Sequence, residues 1–106
     1  MNQKLKTFNV KDFENGTSTS HSSEEAHYFK RMIVEGIEKE LNEIETDGVK
    51  DTIHAIKGIS SYAGLNRMHE VCMRLEHYHQ VMRFKLVKEV LHREYQTVVN
   101  DEQFLA

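Results

Sequence analysis

The sequence predicts an all-α protein: an antiparallel up-and-down bundle of four helices, preceded by a short N-terminal helix or tether. Three observations favour this fold class. Apolar residues recur every three or four positions over long stretches, proline is absent, and polar turn segments separate the periodic stretches. A chain of 106 residues, 39% of them hydrophobic, suffices for one domain with a single modest core.

The first 23 residues are predicted to precede the bundle as a tether, so that the bundle covers residues 24–106. A short apolar patch suggests a docking helix; its members are Leu5, Phe8, Val10 and Phe13. The following run NGTSTSHSS, residues 15–23, is too polar to bury the surface that would order it, and we expect a loop. Because residues 6–20 have the composition of a tether, we expect an excised domain or the C-terminal module of a longer protein.

The first long helix is predicted over residues 24–45. Ser22 or Ser23 can cap its N-terminus, and Glu24 and Glu25 place acidic groups in its first turn. An apolar stripe follows at helical spacing, made of Tyr28, Phe29, Met32, Ile33, Ile37, Leu41 and Ile44. The segment TDG at residues 46–48 ends this helix.

Three more helices are predicted after this turn. The second covers residues 48–62, and Gly64 marks its end. The third starts near Leu65 and the fourth ends near Val98; no strong breaker separates them, so we place their boundary near residues 80–84. The stripe of the second helix consists of Val49, Ile53, Ile56 and Ile59, and that of the third of Leu65, Met68, Val71, Cys72, Leu75 and Met82.

Charge and composition exclude several classes of protein. The net charge is −3 and basic residues are interspersed with acidic ones, so the basic patch of a nucleic-acid-binding protein is missing. No segment approaches the roughly 20 apolar residues of a membrane span, and the N-terminus lacks the apolar core of a signal peptide. The single cysteine, Cys72, excludes an internal disulfide and favours a reducing compartment. We therefore expect a cytoplasmic protein that contacts neither nucleic acid nor membrane.

The second helix carries a polar face centred on His54. At about 100° per residue, the apolar stripe lies opposite this histidine, whereas Lys50, Lys57, Gly58 and Ser61 lie near it. An imidazole is a competent nucleophile near neutral pH, and a lysine one turn away favours an attached anion such as a phosphoryl group. Glycine inside a helix costs about 1 kcal/mol relative to alanine. Gly58 therefore indicates a cleared approach to His54.

Residues 54–76, HAIKGISSYAGLNRMHEVCMRLE, resemble the signature of histidine-containing phosphotransfer (HPt) domains. The matching positions are His54, Ile56, Lys57, Gly58, Ser60, Gly64, Met68, Cys72, Leu75 and Glu76. The resemblance implies a four-helix bundle whose exposed histidine accepts a phosphoryl group from a receiver-domain aspartate and passes it to another. It implies that His54 is the phosphoacceptor, that Lys57 stabilises the phosphoryl charge, and that Gly58 gives the receiver access.

The resemblance also implies supporting residues and partners. Gly64, Cys72 and Leu75 are expected to be structural, while the receiver-binding face is expected to contain Lys50, Ala55, Ser61 and Tyr62, with Met32 or Val34 of the first long helix. The partners would be receiver domains of response regulators or of a hybrid sensor kinase in two-component signalling. The chain would be a monomer, free in the cytoplasm or at the cytoplasmic end of a membrane-anchored hybrid kinase.

The expected role is that of a carrier and not of an enzyme, because the sequence contains no Gly-rich phosphate loop and no acidic cluster for a metal-bound nucleotide. We expect no bound cofactor and no bound metal. The Mg²⁺ needed for transfer would come with the receiver domain.

Two alternative functions compete with this one. His69, Cys72, Glu76 and His79 are spaced like zinc ligands on the third helix, but four ligands along one straight helix lie too far apart to converge on one ion. The second alternative is a non-catalytic helical adaptor that binds a partner through Met32, Met68, Met73 and Met82. Methionines at helical spacing more often fill a core, and an adaptor would not depend on His54.

Overall fold

A computed structural model describes residues 5–106, and all regular structure in this part of the chain is helical. The prediction of an all-α protein is confirmed for these residues. Residues 5–106 form six α-helices: α1 (Val10–Thr17), α2 (Glu24–Asn42), α3 (Val49–Ala63), α4 (Asn66–Tyr78), α5 (Phe84–Val99) and α6 (Glu102–Leu105). Short 3₁₀ turns, Thr46–Gly48 and His79–Val81, precede α3 and follow α4.

The helix boundaries lie within a few residues of those predicted. Ser23 caps α2 as expected, because its side chain accepts a hydrogen bond from the backbone N–H of Ala26. However, α2 ends at Asn42, three residues before the predicted end, although Ile44 beyond it is still buried. At the end of α3, Gly64 adopts the left-handed conformation with φ +72°, which glycine accepts without strain.

The four long helices pack around one core. α3 contacts α2 and α4, and α5 likewise contacts α2 and α4, so each long helix has two long neighbours. The largest fully buried side chains include Ile33, Ile37, Ile53, Ile56, Leu65, Met68, Val87, Leu91 and Val98. No helix among residues 5–106 is long and apolar enough to cross a membrane.

The docking helix expected in the N-terminal segment is present as α1, and its packing makes the segment part of this core and not a tether that only precedes it. Phe8 and Phe13 are almost completely buried, with exposed fractions of 1% and 0%, and their rings pack edge to face. The expected loop at residues 15–23 is wrong for its first residues, since α1 continues to Thr17. Gly16 allows α1 to approach α3 closely, because a side chain at this position would overlap the carbonyl group of Tyr62.

Candidate functional site

The exposed face of α3 is centred on His54, as the helical periodicity predicts. Its side chain is 77% exposed, whereas Ile53 and Ile56 on the opposite face are completely buried. The buried face holds α3 against the core, so the position of the imidazole is determined by the packing of the helix. His54 is therefore an accessible side chain on a rigid support.

Glu76 on α4 joins this surface and forms a three-residue cluster with His54 and Lys57. The ammonium group of Lys57 donates a hydrogen bond to Glu76 Oε1 at 2.8 Å. The other carboxylate oxygen, Oε2, lies 3.7 Å from His54 Nδ1, which is beyond hydrogen-bonding distance but close enough for an electrostatic interaction screened by water. In the resting protein Lys57 is thus bound to Glu76 and not to the imidazole.

The charge of Glu76 is stabilised at this site. The hydrogen bond from Lys57 is the largest cause that lowers the pKa of the Glu76 carboxyl below its ordinary value; partial burial opposes this effect, and the positive form of His54 adds to it. Glu76 is therefore ionised at neutral pH and presents a negative charge to His54.

Sequence reasoning did not assign Glu76 to this site. It appeared as the last matching position of residues 54–76 and as a member of the zinc alternative. The spacing along the helix offered one signal. Glu76 lies four residues after Cys72 and three after Met73, so it shares a face with them on a helix that must pack against α3. Only the register of α4 against α3 shows that it meets Lys57.

Gly58 lies one turn after His54 on an open part of the surface. A Cβ atom built at this position would meet no other atom within 4 Å, apart from its own helix backbone and chain neighbours. The fold itself therefore does not require glycine here. This differs from Gly64, where a Cβ atom would lie 2.5 Å from the Asn9 carbonyl oxygen in a left-handed backbone conformation.

The residues predicted to bind a receiver domain are arranged along α3. Lys50 and Ser61 are exposed, Tyr62 is 42% exposed, and Ala55 is half-buried. On α2, Met32 is 48% exposed, while Val34 is partly buried against the core. The structure thus leaves these side chains on or near the surface, but their contact with a receiver remains a prediction.

A polar hollow continues the α3 surface toward α1. It is lined by Asp12, Asn15, Gly16, Ser61, Asn66 and His69. The side-chain amide of Asn66 donates a hydrogen bond to Asp12 at 2.9 Å, which links the start of α4 to α1. The N-terminal segment therefore forms one wall of the surface beside the candidate site.

The three residues expected to be structural lie in the interior. Gly64 is buried, Leu75 is 4% exposed and Cys72 is fully buried. Burial is the main cause that raises the pKa of the Cys72 thiol to about 12, and a thiol in this state is a poor metal ligand. Among residues 5–106, no group of three or more His, Cys, Asp and Glu side chains is placed to hold a metal ion.

Comparison with known proteins identifies the family. A family model described as the Hpt domain matches residues 30–101, which is more than half of the chain and includes all three residues of the exposed cluster. Searches of curated proteins and of solved structures found no match. The chain belongs to the Hpt domain family, which comprises histidine-containing phosphotransfer modules of phosphorelays.

Proposed function

We propose that this chain is a phosphorelay intermediate in which His54 accepts a phosphoryl group from a receiver-domain aspartate. The group is then passed to a response-regulator receiver, or taken back from one. The observation that carries this proposal is the 77% exposure of His54, beside a lysine and an open glycine, in a chain of the Hpt family. We include the antiparallel up-and-down order of α2 to α5 in the proposal; the ring of contacts among these helices supports it.

The transfer step can be written for the residues of the cluster. A lone pair of the imidazole attacks phosphorus, a P–N bond forms, and the bond between phosphorus and the aspartyl oxygen breaks, so that the aspartate leaves as a carboxylate. The Glu76 carboxylate favours a proton on the nearby His54 Nδ1, which leaves the Nε2 lone pair for the attack. It also stabilises the positive charge that the ring acquires when it is phosphorylated.

Lys57 would change partners during this step. Its ammonium group is hydrogen-bonded to Glu76 in the resting state, only one turn from the imidazole. Lysine carries three rotatable donors on a flexible stem, so it can reach phosphoryl oxygens beside His54 without leaving Glu76 completely. We assign to Lys57 the stabilisation of the phosphoryl charge and to Gly58 the access of the receiver domain.

The carrier needs no nucleotide site of its own in this scheme. Mg²⁺, which offsets charge on the transferred group, comes with the receiver domain. We assign the receiver-binding face to Lys50, Ala55, Ser61 and Tyr62, and we propose that the domain works as a monomer, alone or within a hybrid sensor kinase. Its localisation in the cytoplasm is part of the same proposal.

Transfer of labelled phosphate tests this function. The full chain, His54→Gln and His77→Gln are incubated with a panel of phosphorylated receiver domains, and the protein-bound label is tested for acid lability and alkali stability. His77 is a matched control because it is an exposed histidine on α4. We expect acid-labile label on the wild type and on His77→Gln, and none on His54→Gln.

The stability of the variant must be measured alongside. Because His54 is exposed, its replacement should change the free energy of unfolding by less than about 0.5 kcal/mol. A well-folded wild type that takes no label from any receiver, or equal labelling of His54→Gln, would contradict the proposal and favour the adaptor alternative.

A further inference from the structure

A second histidine–lysine pair lies where the N-terminal segment meets α2 and α6. The side chain of Lys30 on α2 is buried, with 6% of the residue exposed, and its ammonium group donates a hydrogen bond to His21 Nε2 at 2.8 Å. The same ammonium group donates to the main-chain oxygen of Ala106, the last residue of the sequence, at 2.9 Å. No side-chain carboxylate within residues 5–106 forms a salt bridge with Lys30.

Aromatic rings enclose this pair. The ammonium nitrogen of Lys30 lies 5.4 Å from the ring centre of Phe8 and 5.6 Å from that of Phe104, distances typical of cation–π contacts. The ring of His21 packs against Phe8 at 5.5 Å and against Phe13 at 6.0 Å. His21, which is half-buried, and the buried Lys30 thus hold the N-terminal phenylalanines on the bundle.

The hydrogen bond between the two side chains requires a neutral His21, because only an unprotonated Nε2 can accept from an ammonium group. We propose that His21 and Lys30 form a pH-sensitive latch: protonation of His21 turns this hydrogen bond into a contact between two cations and releases residues 5–21 from the core. This inference does not depend on phosphoryl transfer by His54.

The groups around His21 shift its pKa in both directions. Burial and the positive charge of Lys30 are the main causes that lower the pKa of His21 below its ordinary value of 6.5, and His27 of α2 adds a small effect of the same sign. The backbone of Gln103 in α6 and the carboxylate of Glu14 in α1 oppose them. The net shift of the His21 pKa is downward, so the closed latch disfavours protonation of His21.

The sign of the pH dependence follows from this direction. Because the pKa of His21 is lower in the closed state than in the open one, the closed state is stabilised fully above about pH 6.5, and this stabilisation is lost as the pH falls toward the closed-state pKa. Acidification from pH 8 to pH 5 should therefore open the latch.

Opening would change the surface beside the candidate site. α1 supplies Asp12, Asn15 and Gly16 to the polar hollow that also contains Ser61 of α3. When residues 5–21 leave the core, the hollow loses that wall and the backbone of Tyr62 loses its contact with Gly16. His54 lies about two turns away on α3 and stays in place.

Nuclear magnetic resonance of the full chain from pH 8 to pH 5 tests the latch. In the wild type, the amide signals of residues 10–17 should lose their helical chemical shifts on acidification, while those of α3 to α5 remain. In His21→Gln the amide oxygen can still accept a hydrogen bond but does not titrate in this range, so α1 should stay closed throughout. His92→Gln, which removes an exposed histidine on α5, should behave like the wild type.

A second variant covers the case in which His21→Gln fails to close. Lys30→Met keeps an unbranched side chain between Phe8 and Phe104 but removes the cation, so the opening midpoint should move to lower pH. The proposal is overturned if the wild type stays closed down to pH 5, or if all helices melt together. It is equally overturned if His21→Gln opens with the wild-type midpoint, or if Lys30→Met does so.

Discussion

Two histidine–lysine pairs of this protein lie in opposite environments. His54 and Lys57 lie on the surface with Glu76. There water solvates their side chains, and the Glu76 carboxylate pairs with the Lys57 ammonium group. His21 and Lys30 lie among phenylalanine rings, where the lysine has a neutral imidazole and the main-chain oxygen of Ala106 as its hydrogen-bond acceptors. The same two residue types thus form a site that a partner can reach in one place and a pH-sensitive structural contact in the other.

The difference shows how burial decides what a titratable pair can do. An exposed pair contributes little to stability, since its charges interact weakly across water, and its side chains are free to bind a ligand. An enclosed pair is coupled to the surrounding apolar packing, so a change in its protonation changes the structure. We therefore expect substitutions around His21 to alter stability and those around His54 to alter transfer.

The largest expected effect comes from Phe13→Ala beside the enclosed pair. Phe13 is fully buried, and truncation of a buried phenylalanine typically costs about 3–5 kcal/mol in the free energy of unfolding. Denaturant unfolding followed by circular dichroism measures this change. Val81→Ala is the control, because Val81 is 85% exposed and its truncation should cost less than about 0.5 kcal/mol. A cost below about 1 kcal/mol for Phe13→Ala would restore the description of this segment as a tether.

A smaller loss is expected for Gly64→Ala, at the junction between α3 and the N-terminal segment. The residue has φ +72°, and a Cβ atom would lie 2.5 Å from the carbonyl oxygen of Asn9. The left-handed conformation alone costs alanine about 1–2 kcal/mol, and the close contact should bring the total to about 2 kcal/mol or more. Thermal unfolding measures the effect. An unchanged midpoint would show that this junction adapts more easily than its packing indicates.

Gly58→Ala sharpens the contrast because stability and function should move in opposite directions. The added methyl group meets no atom beyond the helix itself, so we expect a gain of up to about 1 kcal/mol from helix propensity. Transfer from a phosphorylated receiver should nevertheless slow by about tenfold or more, since small displacements of reacting groups are costly. Gly48→Ala, at another open glycine, should leave the transfer rate unchanged. Normal transfer by Gly58→Ala would remove the assigned role of Gly58 in access.

The smallest change in stability is expected for Glu76→Gln. Exposed ion pairs contribute about 0.2–1 kcal/mol, so the variant should lose no more than this at pH 7. Because Lys57 lowers the pKa of Glu76, the contribution is present above the ordinary carboxyl value of 4.5 and disappears as the pH falls below it. Unfolding curves of wild type and variant at pH 7 and pH 3 should converge at the lower pH. The labelling assay should also show slower transfer, and a normal rate would remove the assigned role of Glu76 in favouring the proton on His54 Nδ1.

Local signals in the sequence were sufficient for the helices and for the centre of the site. The period of the apolar residues predicted α2 to α5 within a few residues, Ser23 indicated the start of α2, and the polar face of α3 predicted the exposure of His54. Such features depend on residues within one or two turns of each other. The resemblance of residues 54–76 then led to the family that the comparison identified.

The tertiary structure alone decided which distant residues meet. Lys57 and Glu76 are 19 positions apart, and Lys30 and Ala106 are 76 positions apart, so no local pattern could pair them. The polar composition of residues 15–23 also concealed that α1 packs on α3 through Gly16. Sequence by itself determined the helical elements and the exposure of His54, because both follow from short-range periodicity. The partner of Lys57 and the enclosure of His21 depend on how the helices pack, which brings together side chains that the chain order separates.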